Sequence, residues 1–97
     1  MKMDTRNFVL VEKEEVGNLV FPQEEVLTSG SEKDERTTAM NRAISLGNLE
    51  HHKVKIYFAD NAGDKVVHTT IWAVTDEAIV LKQHVVIPVK RIIKLEI

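Results

Sequence analysis

Cysteine is absent from the sequence, so neither a disulfide framework nor a thiolate zinc site can form. That absence fits a reducing compartment, and the expected location is cytoplasmic. Proline occurs twice and glycine four times in 97 residues, which excludes collagen-like and low-complexity chains. No apolar run approaches the ~20 residues of a membrane-spanning helix. Met1-Lys2-Met3-Asp4 lacks the pattern of a secretory signal, so no membrane partner is expected. Glycine-rich phosphate loops, nucleophile motifs and paired metal-ligand spacings are also missing. The sequence therefore points away from an enzyme and implies no cofactor.

Hydrophobic residues make up 43% and charged residues 29%, the balance of a globular domain. The net charge of −2 is unevenly placed. Residues 1–50 carry six basic and ten acidic side chains, whereas residues 51–97 carry seven and five, with all four histidines. An acidic leader thus precedes a mildly basic second half. The asymmetry is too small to imply nucleic-acid binding on its own.

The second half reads as five short strands, from period-2 patterning and punctuation. Val54, Ile56 and Phe58 share one face of the first, and Lys53, Lys55 and Tyr57 the other. Asp60 to Asp64 supplies a turn in which Gly63 can take positive φ. The second run, Lys65 to Thr75, is apolar on both faces, so it is buried on both sides or strongly bent. After the Asp76-Glu77 turn, Ile79–Lys82 and Val85–Ile87 form the third and fourth strands. Gln83-His84 is the tight turn between them, and His tolerates positive φ better than most residues. Pro88 should stop the fourth strand, and Val89-Lys90-Arg91 fits one 3₁₀ turn. Ile93, Leu95 and Ile97 alternate with Lys94 and Glu96 as the fifth.

Short, evenly spaced strands favour a closed barrel, because closure removes exposed edges. The long second strand and Ile87-Pro88-Val89-Lys90-Arg91-Ile92 resemble the SH3-like and Sm-like barrels, and a helix ahead of the first strand tilts the likeness toward Sm-like. The pieces His68–Ala73, Leu81-Lys82 and Ile87-Pro88 also resemble a group of small bacterial proteins without a known activity. The resemblance implies a mainly β, five-stranded small barrel preceded by a helix. It implies no chemistry, since such barrels host unrelated functions.

Upstream, residues 1–30 form the acidic leader and residues 31–97 the helix and barrel of one domain. Phe8–Val11 and Leu19–Phe21 are short apolar runs that could pair as a hairpin. Pro22 with Glu24 and Glu25 suits a short helical turn. Ser31 and Asp34 form a capping-box-like start for a helix over residues 32–46, with Gly47-Asn48 ending it. Met40, Ala43 and Ile44 form its apolar stripe, which should close one end of the barrel.

Two surfaces are candidates for binding. Lys53, Lys55, Tyr57 and Lys94 lie on the outer faces of the first and last strands, which pair in the barrel that the pattern resembles. Basic side chains beside an aromatic suit phosphates and a stacked base, hence RNA or another single-stranded nucleic acid. Lys65, Lys82, Lys90 and Arg91 could extend this patch, but a solvated face neutralised by Glu96 is the simpler account of it. Trp72, read either as core or as a platform, marks the alternative, a protein-partner surface. A metal site among His51, His52, His68 and His84 lacks the convergence that zinc needs.

Overall fold

The structure, a computed structural model, describes residues 7–50 and 53–97, the side chains of residues 46–50 excepted. The described elements are β1 (Val9–Val11), α1 (Lys13–Val16), α2 (Gly30–Glu50), β2 (Val54–Ala59), β3 (Asp64–Thr69), β4 (Ile71–Val74), β5 (Ala78–Leu81), β6 (Val86–Pro88) and β7 (Ile92–Glu96). Single 3₁₀ turns at Lys82–His84 and Val89–Arg91 flank β6. The protein is mainly β, with two sheets ordered β1-β3-β2-β7 and β4-β5-β6. No ladder joins the two sheets among the described residues. Both contribute to one core, with Val54, Ile56, Phe58, Val67 and Ile92 from the first and Ile71, Ile79, Leu81 and Ile87 from the second.

The run Lys65 to Thr75 resolves its two apolar faces by bending. It breaks at Thr70 into β3 and β4, which belong to different sheets. Val67, Thr69 and Ile71 are buried on either side of the corner. A bulge in β7 changes the expected alternation of the last strand. Tyr57 pairs with Lys94 and Phe58 with Ile92, so Ile93 is the extra residue. Ile92 is therefore buried, while Lys94 and Glu96 remain outside.

The leader differs most from its sequence pattern. Phe8–Val11 does supply a strand, but β1 pairs parallel with β3 rather than with residues 19–21. The charged stretch after it forms the single turn α1, in which Glu15 Oε1 accepts the Glu12 amide at 3.0 Å. Residues 17–29 are irregular, with no helix after Pro22. Two of their backbone groups pair with distant parts of the chain instead. The Asn61 amide donates to the Val20 carbonyl, and the Val26 amide donates to the Lys90 carbonyl, each at 2.9 Å. Val11, Val16 and Leu27 of this leader are buried.

Helix α2 begins earlier than expected because Ser29, not Ser31, caps it. Ser29 Oγ accepts the Glu32 amide at 3.3 Å, and its carbonyl accepts the Lys33 amide at 3.1 Å. The Ser29-Gly30-Ser31-Glu32 sequence is the stronger capping pattern. The helix also continues through Gly47 to Glu50. Glycine weakens a helix but ends it only where the chain turns left-handed. Met40 and Ala43 are buried and Ile44 packs against the core, as their shared stripe predicts. The helix contacts β4 and β7, one strand from each sheet.

Arg36 lies one turn before Met40 on the same buried stripe, 6% exposed. Its Nη1 donates to Glu25 Oε2 at 2.8 Å and to the Ile92 carbonyl at 3.0 Å, and its Nη2 donates to Glu25 Oε1 at 2.7 Å. One guanidinium thus ties the leader, α2 and β7 together. The Arg36 guanidinium holds the Glu25 carboxyl down to about 2, against the raising effect of partial burial.

The β5–β6 hairpin carries backbone strain. Gln83 and His84 adopt φ of 65° and 63°, consecutive left-handed positions that Asn and Gly normally fill. The double change Gln83→Asn, His84→Gly is expected to stabilise the protein by about 1 kcal/mol. A melting temperature that falls, rather than rises, would contradict this account. Gly63 also takes positive φ, at 155°, in the β2–β3 loop.

Candidate contact surfaces

The four-stranded sheet presents the lysine face on its outer side. Lys53, just ahead of β2, and Lys55 and Lys94 are exposed, and Tyr57 is half-buried. The structure brings Lys55, Tyr57 and Lys94 together through the β2–β7 ladder, where Tyr57 stands opposite Lys94 and Lys55 opposite Glu96. These groups already engage one another. Lys94 Nζ lies 4.8 Å from the centroid of the Tyr57 ring, a cation–π contact. Phe8 meets the same ring edge-on at 4.8 Å. Lys55 Nζ lies 3.8 Å from a Glu96 carboxylate oxygen. A base would have to displace Lys94 or Phe8 to stack on Tyr57.

Two of the residues expected to extend the patch turn elsewhere. Lys65 Nζ lies 2.9 Å from both carboxylate oxygens of Asp60. Arg91 donates through Nε to the Ala59 carbonyl at 2.9 Å and through Nη1 to the Glu24 carbonyl at 2.8 Å. Both are spent on holding loops together. Lys82 and Lys90 are exposed, but they sit on the turns before and after β6 rather than on the β2–β7 ladder.

Asp60, which the sequence marks only as a turn residue, is the hub of the β2–β3 loop. Its side chain is 2% exposed. Oδ1 accepts the Ala62 and Gly63 amides, each at 2.9 Å, besides Lys65. Burial pushes the carboxyl up, but the Lys65 ammonium and the two amides outweigh it and hold it below its ordinary range. The signal in the sequence is the Asp-x-x-Gly loop followed by Lys65. Turn composition alone gives no hint that the carboxylate is buried.

The three-stranded sheet presents a different outer face. Trp72 is the extra residue of a bulge, because Ile71 pairs with Leu81 and Ala73 with Val80. A bulge re-aims a side chain, and Trp72 is 47% exposed rather than in the core. Val80 pairs in turn with Val86, and Ala78 with Pro88. The outward row Ala73-Val80-Val86 is therefore apolar across all three strands, with Val86 exposed. At the hairpin end, the His84 ring meets Trp72 edge-on at 6.1 Å.

Among the described residues, no group of three or more His, Asp or Glu side chains is placed to hold a metal ion. His51 and His52 lie outside the described residues. No described helix is long and apolar enough to cross a membrane. Comparison with protein families, curated proteins and solved structures gives no match.

Proposed function

We propose that the chain is a non-enzymatic binding module on a small SH3-like (Sm-like) barrel, and that it docks a short apolar segment of a protein partner. Its contact surface is the outer face of β4-β5-β6, centred on Trp72. The observation that carries this reading is a solvent-facing tryptophan beside the apolar row Ala73-Val80-Val86. An exposed aromatic on a rigid apolar platform is the composition of a binding hot spot. The strand sequence, with one 3₁₀ turn before the last strand, supports the barrel class.

Size decides what such a face can hold. Three strands about 4.8 Å apart, four residues long at most at roughly 3.3 Å per residue, cover roughly 200 Å² or less. A stable domain–domain interface needs about 800 Å² per partner. The face therefore suits a short segment and a transient contact.

The lysine face is the weaker candidate, because Tyr57 and Lys94 are committed to each other and Lys55 faces Glu96. Apolar peptides selected by display against the immobilised chain are expected to blue-shift the emission of Trp72, the only tryptophan. They should lose about tenfold or more in affinity on Trp72→Glu. Single-stranded RNA, titrated from low to physiological salt, is expected not to bind. RNA binding that weakens when Lys53, Lys55 and Lys94 are changed to Gln would overturn the protein reading in favour of the nucleic-acid one.

A further inference from the structure

A second surface lies along α2, beside its buried stripe. A groove of about 710 Å³ runs between this helix and β7. Its floor is apolar, formed by Ala39, Leu95 and Ile97, and its helix wall carries Asp34 and Glu35 toward one end and Arg42 toward the other. No side-chain hydrogen bond or ion pair to another described residue holds Asp34, Glu35 or Arg42. Strand β7 is the outer strand of its sheet, with a ladder neighbour on one side only among the described residues.

We propose that this groove binds an extended peptide with a basic residue at one end, an apolar residue in the middle and an acidic residue at the other end. The spacing follows from the helix. Asp34 and Arg42 are eight residues apart, about 12 Å along the axis at 1.5 Å per residue. An extended peptide advances roughly 3.3 Å per residue, so positions four apart span about 13 Å. Side chains alternate along a strand, so the first, third and fifth residues share one face. The recognised pattern is therefore Lys or Arg, any residue, an apolar residue, any residue, then Asp or Glu. The basic end lies against Asp34 and Glu35, the apolar residue on Leu95 and Ile97, and the acidic end against Arg42. Charge complementarity sets which peptide enters, and the apolar floor holds it.

The test uses the full chain and capped, fluorescein-labelled peptides, read by anisotropy at low ionic strength. A peptide containing Lys-Thr-Leu-Thr-Glu is expected to bind saturably, with a Kd below about 1 mM. Arg42→Glu should weaken it roughly five- to twentyfold and strengthen a Lys-Thr-Leu-Thr-Lys peptide by a similar factor, because one attraction becomes a repulsion. Arg42 is exposed, so its melting curve should match that of the wild type. If that variant misfolds, Asp34→Lys with Glu35→Lys provides the mirror test, with Glu-Thr-Leu-Thr-Glu gaining. Trp72→Glu should leave binding unchanged. Absence of saturable binding by the wild type, or affinities indifferent to these charge reversals, would overturn the proposal. Loss of binding on Trp72→Glu would also overturn it, and would assign the peptide to the sheet face.

Discussion

Replacing Glu25 by alanine is expected to lower the unfolding free energy by about 3–4 kcal/mol, more than replacing its partner Arg36 by methionine. The two halves of this ion pair are not equivalent. The Arg36 side chain is 6% exposed and that of Glu25 24%. Without Glu25, a buried guanidinium loses both bidentate bonds and keeps only the Ile92 carbonyl. An uncompensated buried charge is the costly outcome. Without Arg36, the carboxylate can turn toward water, and methionine retains the apolar stem. That change should cost about 2 kcal/mol. Urea denaturation of both variants tests the order, and a smaller loss for Glu25→Ala than for Arg36→Met would refute it. Domains of this kind have only about 5–15 kcal/mol in total, so either change is a large fraction of it.

The same pair gives a pH dependence with a definite sign. The Glu25 carboxyl is held at about 2 in the folded protein against an ordinary value of 4.5. A depressed folded value means stability that is complete above pH 4.5 and lost as the pH falls toward 2. The Arg36→Met variant should show a flatter acid limb over that window. An acid limb of unchanged slope would mean that another group governs it.

Asp60→Ala is expected to cost about 2–4 kcal/mol. It removes an acceptor from two backbone amides and leaves Lys65, whose side chain is 16% exposed, without its carboxylate. Asp60→Asn should cost less, because an amide oxygen can still accept the Ala62 and Gly63 N–H groups. It cannot neutralise Lys65. Thermal unfolding of the two variants separates loop architecture from charge pairing. Equal losses would mean that the ion pair, not the amide bonds, holds the loop.

These two networks mark the boundary of what residue patterning can reveal. Period-2 alternation locates β2 to within a residue, because it has one buried and one open face, and the flanking turns locate β5, whose residues are apolar throughout. The run through Thr70, apolar on both faces, leaves a bend and burial on both sides as alternatives, and does not show where a bend falls. The outward placement of Lys55, Tyr57 and Lys94 was legible for the same reason. Patterning could not show that Lys94 sits over Tyr57, since that depends on the register imposed by the Ile93 bulge. Nor could it separate Trp72 as core from Trp72 as surface, because one bulge residue reverses the face. Arg36 and Glu25 are eleven residues apart, and both look like ordinary solvated charges in a stretch rich in them. Their pairing is set by where the leader crosses the helix, a tertiary fact without local periodicity. The same holds for β1, whose partner strand is not its sequence neighbour.

That pairing bears on the order in which the molecule is made. Val9 aligns with Lys65, 56 residues further along the chain. At a synthesis rate of about 5–20 residues per second, the partner strand emerges roughly 3–11 seconds after β1. The local β2–β3 hairpin closes in microseconds once its residues are free, so β1 adds to an edge that already exists. During the interval Val9, Leu10 and Val11 have no native ladder to join. How long this apolar segment is open to chaperones or to neighbouring nascent chains is therefore set by the ribosome, not by the rate at which the core collapses.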